Sequence, residues 1–248
     1  MIDVFTPHFH DGEFWQGDCL KLMQRVPDGY VDMILADLPY GTTQNKWDSV
    51  IPFEPLWREY WRVLKRNGAV VLTADQPFTS VLIMSQFKQF RYSWHWHKIQ
   101  ATGFLNAKKM PLKAVEDICV FYRDLPIYNP VMREGEARKR TIALSKTSNY
   151  GKYVKTGEDS GMERYPTTHL EISKGFSPNA RPIHPTQKPV ALFEYLIKTY
   201  TNPGEIVLDN TAGSGTTAVA ARNTGRRWIC IEKDHGYYSA AINRVRAA

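Results

Sequence analysis

The chain has 248 residues, 43% of them hydrophobic, and a formal net charge of +7, which favours one α/β domain with an insertion over two full domains. No apolar run approaches the roughly twenty residues that a membrane span needs, and the first residues lack a secretory pattern. Three widely spaced cysteines provide neither a zinc-type spacing nor a disulfide framework, so we expect a cytoplasmic protein with no bound metal and no membrane contact.

The first part of the chain predicts two strands, each followed by an acidic residue. Residues 14–17 predict a short strand, after which Asp18 and Cys19 open a short helix. Residues 31–36 are apolar and predict a buried strand that ends in the turn Asp37-Leu38-Pro39-Tyr40-Gly41. Ligands of open α/β sheets bind outside the carboxyl ends of the strands, so this turn is a candidate site.

The middle of the chain predicts further elements: a helix over residues 55–64 closed by Asn67-Gly68, a strand over 69–73, a helix over 79–87, and strands over 92–98 and 115–123 that form a hairpin-like edge of the sheet. The irregular first dozen residues contain His8 and His10, and the first hairpin strand contains His95 and His97. We expect neither pair to bind a metal.

Residues 85–113 contain six basic residues and no acidic one, interleaved with aromatic residues. This pattern suits a face that meets phosphates and bases. The alternative is that the aromatic side chains belong to the core and the basic ones form a solvated rim. In residues 127–181 the periodicity disappears, and a loop of this length is usually functional or disordered.

The last part of the chain predicts a second ligand-binding edge. A helix begins at Pro189, and a strand over 206–208 leads into the small-residue loop Asp209–Thr217. Glycines allow a close approach of the backbone, and a helix start offers free amide donors. The next strand, 227–231, ends in Glu232 at about the offset where an acid meets ribose hydroxyls in Rossmann-like folds. A final helix covers about 237–246.

These motifs, in this order, resemble the permuted β-class of DNA amino-methyltransferases, which use S-adenosylmethionine. The family's D/N/S-P-P-Y motif corresponds to Asp37–Tyr40 and its cofactor loop to Asp209–Thr217. The sequence His184-Pro185-Thr186-Gln187-Lys188-Pro189 and the Gly17-Asp18 step also match. Leu38 replaces the first proline of the catalytic motif, and Asn210-Thr211 replace Pro-Phe, but neither change removes a required functional group.

The resemblance implies a role for each matched residue. The catalytic residues would be Asp37, Leu38, Pro39 and Tyr40. Lys188 would pair with the cofactor carboxylate, Glu232 with the ribose and Asp18 with the adenine. The cofactor-binding residues would be Asp18, Cys19, Asp37, Lys188, Asp209, Thr211, Ala212, Gly213, Ser214, Gly215, Thr216 and Glu232.

The resemblance also implies the fold and the activity. The fold would be a Rossmann-like α/β sheet, mostly parallel with one antiparallel strand and in permuted order. Its catalytic half would span 1–126, a target-recognition insertion 127–181 and the cofactor-binding half 182–248. We expect methylation of the 6-amino group of adenine in DNA after base flipping, because Asp rather than Ser leads the motif. Partners would be DNA and, in a homodimer, a second copy of the chain.

Other functions remain open at this stage. They are methylation of the cytosine 4-amino group, methylation of an RNA or protein amine, and an inactive DNA-binding relative. An oxidoreductase with a dinucleotide on the glycine loop would leave Asp37–Tyr40 and residues 184–189 unexplained.

Overall fold

A computed structural model describes residues 8–42, 48–135, 162–175 and 187–248. The sequence motif at 184–189 is therefore described only from Gln187 onward, and His184, Pro185 and Thr186 lie outside the described residues. The same holds for residues 43–47 of the loop after the catalytic turn and for 136–161 and 176–181 of the expected insertion.

The structure contains eleven described strands. They are β1 (His8–Phe9), β2 (Gly12–Gln16), β3 (Val31–Asp37), β4 (Leu64–Ala74), β5 (Phe90–Thr102), β6 (Lys113–Phe121), β7 (Arg133–Glu134), β8 (Glu163–Arg164), β9 (His169–Glu171), β10 (Ile206–Asp209) and β11 (Arg227–Glu232). The described α-helices are α1 (Cys19–Leu22), α2 (Phe53–Val63), α3 (Phe78–Ser85), α4 (Val190–Tyr200), α5 (Thr216–Asn223) and α6 (His235–Ala247), with 3₁₀ turns at Met23–Arg25 and Phe104–Asn106.

Nine of these strands form one sheet in the order β1-β2-β11-β10-β3-β4-β6-β5-β9. The five strands from β2 to β4 are mutually parallel, and β6 runs antiparallel to both β4 and β5. The two-residue β1 is also antiparallel to its neighbour β2. The predicted α/β class with a mostly parallel sheet is confirmed, and β6 is the expected antiparallel strand.

The permuted order has a direct structural counterpart at the centre of the sheet. Strands β3 and β10 are distant in sequence but adjacent in the sheet, where Val207 pairs with Met33 and Leu208 with Ile34. From β3 the chain continues to β4 on one side, and from β10 it continues to β11 on the other. The sheet therefore has a topological switch point between β3 and β10.

Apolar side chains cover both faces of the sheet. Along β3, Met33 and Leu35 belong to one buried cluster with α4, α5 and α6, while Ile34 and Ala36 belong to another with α2 and α3. A continuous apolar run is typical of such a doubly covered strand. Two-sided burial fixes the register of β3, since a shift by one residue would exchange its two faces.

Two predicted boundaries are wrong for identifiable reasons. Asn67-Gly68 does not close a helix: α2 ends at Val63, and the two residues lie within β4. An added Cβ at Gly68 would lie 2.7 Å from the Asp32 carbonyl oxygen, so glycine there permits a close approach of two strands at an irregularity in the β3–β4 pairing. In the N-terminal arm, His8–Phe9 pairs with β2 instead of being irregular.

The chain divides into two compact units. The larger comprises 1–129 and 168–248 and contains the nine-stranded sheet. The smaller, 130–167, contains the antiparallel pair β7–β8. Among the described residues, no helix is both long and apolar enough to cross a membrane.

Candidate active site

A cleft of about 870 Å³ lies at the carboxyl ends of the central parallel strands of the larger unit. The strands β2, β3, β10 and β11 each contribute their last residue to its wall, namely Gln16, Asp37, Asp209 and Glu232. The cleft therefore lies at the switch point between β3 and β10, where open α/β sheets bind their ligands.

The structure brings almost all of the predicted site residues together in this cleft. Those that line it are Asp18, Cys19, Asp37, Leu38, Pro39, Tyr40, Lys188, Asp209, Thr211, Ala212, Gly213, Ser214, Thr216 and Glu232. Gly215 differs, because it does not line the cleft and packs against α6 instead. Its φ of +75° starts α5, and an added Cβ would lie 3.2 Å from the Cβ of Ala241.

The Asp37 carboxylate is held by three described donors. The Tyr40 hydroxyl donates to Asp37 Oδ1 at 2.8 Å, and the Thr73 hydroxyl donates to the same oxygen. The Lys188 ammonium donates to Oδ2 at 2.7 Å. A carboxylate offers about four acceptor positions, so these donors orient Asp37 and leave room for about one more.

The ring of Tyr40 is fixed by the same arrangement. It stacks on Phe78 with ring centroids 5.0 Å apart. Burial, and after it the charge of Asp37, raises the pKa of the Tyr40 hydroxyl well above its usual value. Tyr40 therefore keeps its proton and remains a donor to Asp37.

Leu38 and Thr211, the two departures from the family pattern, both fix the catalytic turn. The Leu38 side chain is buried in the cluster that packs on α2 and α3. The Thr211 hydroxyl donates to the backbone carbonyl of Asp37 at 3.1 Å, which joins the cofactor loop to the turn. A phenylalanine at 211 would not make that hydrogen bond.

Lys188 pairs with two carboxylates that the sequence did not predict as its partners. Its ammonium is buried and is shared between Asp37 and Glu116, 2.7 Å and 3.5 Å away. Burial alone would lower the pKa of Lys188, but the two carboxylates outweigh it and the pKa is raised. Pairing of Lys188 with a cofactor carboxylate stays a prediction.

Glu116 and Lys98 are further cleft-side residues that the sequence analysis missed. Glu116 lines the cleft, and Lys98, only 2% exposed, donates to it at 3.0 Å. A signal was present in the sequence: Trp94, Trp96 and Lys98 alternate on one strand face, and a lysine that follows two core tryptophans needs a buried acid.

The cofactor loop is closed by carboxylates that accept from its backbone. Glu232 Oε2 accepts from the amide of Gly213 at 2.8 Å, and Oε1 accepts from that of Asp234 at 2.7 Å. Asp209 accepts from the amide of Thr211 and the hydroxyl of Thr217. These contacts order the loop before any ligand binds.

Asp18 has a local structural role that is compatible with the predicted one. One of its carboxylate oxygens accepts from the amides of Leu20 and Lys21 and so caps α1. The residue also lines the cleft. Its contact with a cofactor adenine stays a prediction.

The residues present in the cleft fit S-adenosylmethionine. Its sulfonium and ammonium are cationic, and the acidic residues that line the same cleft include Asp18, Asp37, Asp209 and Glu232. Asn210 also lines the cleft, and its buried side-chain oxygen accepts from the Tyr60 hydroxyl. The volume lies within the usual range for ligand sites.

Asp209 makes stability depend on pH. Burial, reinforced by the charges of Asp37 and Glu232, raises its pKa from 3.8 to about 7. The unfolded chain therefore loses this proton at lower pH than the folded one, and the folded state is destabilised as pH rises from about 4 to about 7.

We therefore expect Asp209→Asn to be more stable than the wild type, by an amount that grows to the order of a few kcal/mol above pH 7. Urea unfolding of both proteins at pH 5 and pH 8 measures this difference. An equal difference at both pH values would contradict a raised pKa at Asp209.

Residues 85–113 can be interpreted either as a face for phosphates and bases or as core aromatic residues with a basic rim, and each interpretation suits a different part of the stretch. Trp94 and Trp96 are core residues, and Lys98 is buried. The tip of the β5–β6 hairpin instead exposes Phe104 and Leu105, at 76% and 84%. The core interpretation therefore holds for the strand and not for the tip.

In the pair His95 and His97, each histidine has a local acidic partner. His95 lies 3.0 Å from Asp117, and His97 lies 3.5 Å from Glu171. Over the described part of the chain, no group of three or more histidine, cysteine or acidic residues is arranged to hold a metal ion.

Comparison with known proteins adds independent evidence. The sequence model of the DNA methylase family matches residues 31–243. The DNA adenine methyltransferase YhdJ of Escherichia coli K12 is 28% identical over 255 aligned positions, which cover 94% of this chain and 82% of YhdJ.

Two solved structures share the fold. The M1.HpyAVI–SAM complex has a TM-score of 0.65 at 23% identity and covers 94% of this chain and 98% of its own. The cytosine-N4-specific PvuII DNA methyltransferase has a TM-score of 0.68 at 18% identity and covers 94% and 86%.

Proposed function

Because the chain belongs to the DNA methylase family, we propose that it transfers the methyl group of S-adenosylmethionine to the exocyclic 6-amino group of adenine in DNA. Family membership confirms the predicted enzyme class, an S-adenosylmethionine-dependent DNA methyltransferase. The observation that carries the choice of adenine is Asp37, a carboxylate at the first position of the catalytic motif and in the wall of the cleft. The adenine specificity named for YhdJ supports it.

The chemistry required of the protein is activation of a poor nucleophile. The lone pair of an exocyclic amine is delocalised into the ring, and S-adenosylmethionine supplies an electrophilic methyl group. Hydrogen bonds from the two amine protons to the Asp37 carboxylate and the Leu38 carbonyl would localise that lone pair on nitrogen. The donors Tyr40, Thr73 and Lys188 hold Asp37 in place beforehand, so positioning and electrostatics supply much of the rate.

The position of Asp37 imposes a requirement on the DNA. Its side chain is only 21% exposed, within the cleft, so a base stacked in a duplex cannot reach it. The target base therefore has to leave the stack. Phe78 packs on one face of the Tyr40 ring, so the predicted stacking of the extruded base on Tyr40 uses the other face.

Expression in a host whose DNA lacks base methylation tests this function. The modified bases are then identified by sequencing. We expect 6-methyladenine in a defined sequence context, and Asp37→Ala serves as the inactive control. Methylated cytosine would identify the 4-amino group as the target, and unmodified DNA despite a folded, cofactor-binding protein would refute DNA methylation.

The tip of the β5–β6 hairpin is the surface that we assign to DNA contact. Thr102 lines the cleft, and the exposed Phe104 and Leu105 follow it after Gly103. Lys108 and Lys109 lie in the same tip and are exposed. Cations beside exposed apolar side chains, next to the cleft, suit phosphates and unstacked bases.

We expect Lys108→Ser/Lys109→Ser to raise the KM for DNA about tenfold at moderate salt while kcat changes little. The dependence of log KM on log salt should become shallower by about 2, since two phosphate contacts are lost. Lys198→Ser/Arg246→Ser, which removes two exposed cations outside both the hairpin and the cleft, is the control for net charge. An unchanged salt slope in the hairpin variant would place the DNA elsewhere.

We further propose that the protein acts in the cytoplasm and that it forms a homodimer. The cytoplasmic setting is supported by three free cysteines, two of them buried. The dimer rests on the resemblance to β-class enzymes alone. Sedimentation of the purified protein measures the oligomeric state, and a monomer at all concentrations would exclude the dimer.

A further inference from the structure

Four charged side chains form a continuous chain from β5 to the catalytic turn. Lys98 Nζ lies 3.0 Å from Glu116 Oε1, Glu116 Oε2 lies 3.5 Å from Lys188 Nζ, and Lys188 Nζ lies 2.7 Å from Asp37 Oδ2. Cations and anions alternate, so the four charges sum to zero. Lys98 is the member farthest from Asp37 along this chain.

Burial makes the balance of charge in this cluster consequential. The exposed fractions of the side chains are 2% for Lys98, 16% for Glu116 and 7% for Lys188. A buried charge without a partner is strongly unfavourable, so each group must share the counter-charges available. Lys188 contacts both carboxylates, Glu116 and Asp37, whereas Lys98 contacts only Glu116 of these two.

We propose that Lys98 is a positioning residue for methyl transfer. Lys98 neutralises Glu116, so the Lys188 ammonium stays on Asp37. This inference rests on the proposed function, because it concerns the orientation of the carboxylate that accepts the target amine. Lys98 acts through Glu116 and Lys188.

The consequence of removing Lys98 follows from the remaining charges. In Lys98→Met, Lys188 is the one described cation still ion-paired with Glu116 and Asp37, and Glu116 draws it away from Asp37. Misplacement of a reacting group by about 1 Å can cost about 100-fold in rate, so kcat should fall about 10- to 100-fold. In Lys98→Met/Glu116→Gln, Lys188 has Asp37 as its only anionic partner in the cluster. If Lys98→Met lowers kcat 100-fold, the kcat of the double variant should be at least about tenfold higher than that of Lys98→Met.

The competition between Glu116 and Asp37 for Lys188 also depends on pH. The charged and titratable groups that face Glu116 are Lys98 from β5, Lys188 before α4, Lys174 after β9, and Asp37 and Tyr40 from the catalytic turn. Burial would raise the pKa of Glu116, but Lys188 and Lys98 outweigh it and the pKa is lowered. Without Lys98 this pKa rises, and the variant takes up a proton on Glu116, because Glu116 is the carboxylate that has lost its nearest cation.

A protonated Glu116 no longer competes for Lys188. The ratio of the kcat of Lys98→Met to that of the wild type should therefore increase as pH falls from 8 to 6. A purely structural role for Lys98 would change stability and leave this ratio constant.

The experiment measures kcat, the KM for DNA and cofactor affinity for the full chain between pH 6 and 8, with transfer of labelled methyl groups to genomic DNA as the assay. The matched control is Lys65→Met, which breaks the pair between Lys65 and the buried Asp32 at the other end of β3. We expect the control to lower stability and leave the kcat–pH profile unchanged. Lys98→Gln replaces Lys98→Met if the latter does not fold.

Titration of the Glu116 carboxyl by ¹³C NMR in the wild type and in Lys98→Met measures the effect of Lys98 on the pKa of Glu116. This measurement does not depend on catalysis. If the wild type transfers no methyl group to DNA, the proposed function is refuted. The titration then still tests the contact between Lys98 and Glu116. An unshifted Glu116 pKa in the variant, a double variant no more active than the single one, or a pH-independent kcat ratio would overturn the inference.

Discussion

Replacement of Asp37 by alanine is expected to lower kcat at least about 1,000-fold and to change cofactor affinity less than about fivefold. The substitution removes the acceptor that the mechanism directs at the target amine. It leaves the backbone of the turn anchored, because Leu38 is buried and Thr211 bonds to a carbonyl. Lys188 keeps Glu116 as a counter-charge, which limits the effect on folding. Single-turnover methyl transfer and calorimetric titration of the cofactor measure the two quantities.

Asp37→Asn is the control for shape. It keeps the size of the side chain and removes the charge and one acceptor oxygen, so we expect a kcat far below that of the wild type. A loss of cofactor affinity in Asp37→Ala as large as that in Asp209→Ala would contradict the separation of a catalytic edge from a cofactor edge.

Replacement of Asp209 by alanine is expected to have the opposite profile. Its carboxylate accepts from the Thr211 amide and the Thr217 hydroxyl, so it joins the first turn of the cofactor loop to α5. Its loss frees the loop that lines the cleft and removes a carboxylate opposite a cationic ligand. We expect cofactor affinity to fall about 30- to 100-fold, in line with about 2 to 3 kcal/mol for breaking a buried charged hydrogen-bond pair.

The control for this prediction is Thr217→Val, which removes one of the two donors and leaves the carboxylate. It should weaken cofactor binding less than Asp209→Ala does. At saturating cofactor, the kcat of Asp209→Ala should stay within about tenfold of the wild type. A loss of kcat as deep as that of Asp37→Ala, with normal cofactor affinity, would reverse the two roles.

The sequence predicts the edge of the sheet on which the site lies, because local patterns determine it. A continuous apolar run followed by Asp37-Leu38-Pro39 marks the end of a buried strand, and the loop from Asp209 marks another. That these two strands are neighbours cannot be deduced from either pattern alone. The pairing of Val207 with Met33 is a long-range contact, which the structure provides.

The sequence contains a signal that Lys98 needs a buried acid, but it does not identify that acid, for a similar reason. Glu116 and Lys98 lie on neighbouring antiparallel strands, and their contact depends on a register that is interrupted between His97 and Thr102. Lys188 was assigned to the cofactor from its motif alone, whereas tertiary packing gives it Asp37. Helix boundaries failed where a glycine serves strand packing, as Gly68 does in β4.

The most direct test of the central claim is methyl transfer by the purified protein to unmethylated genomic DNA, with labelled S-adenosylmethionine and nucleoside analysis of the product. Asp37→Ala, shown by titration to bind the cofactor, is run beside it. We predict label in N6-methyl-2′-deoxyadenosine for the wild type and none for the variant. Label on cytosine would contradict the use of Asp37 for adenine, and equal label from the variant would contradict its catalytic role.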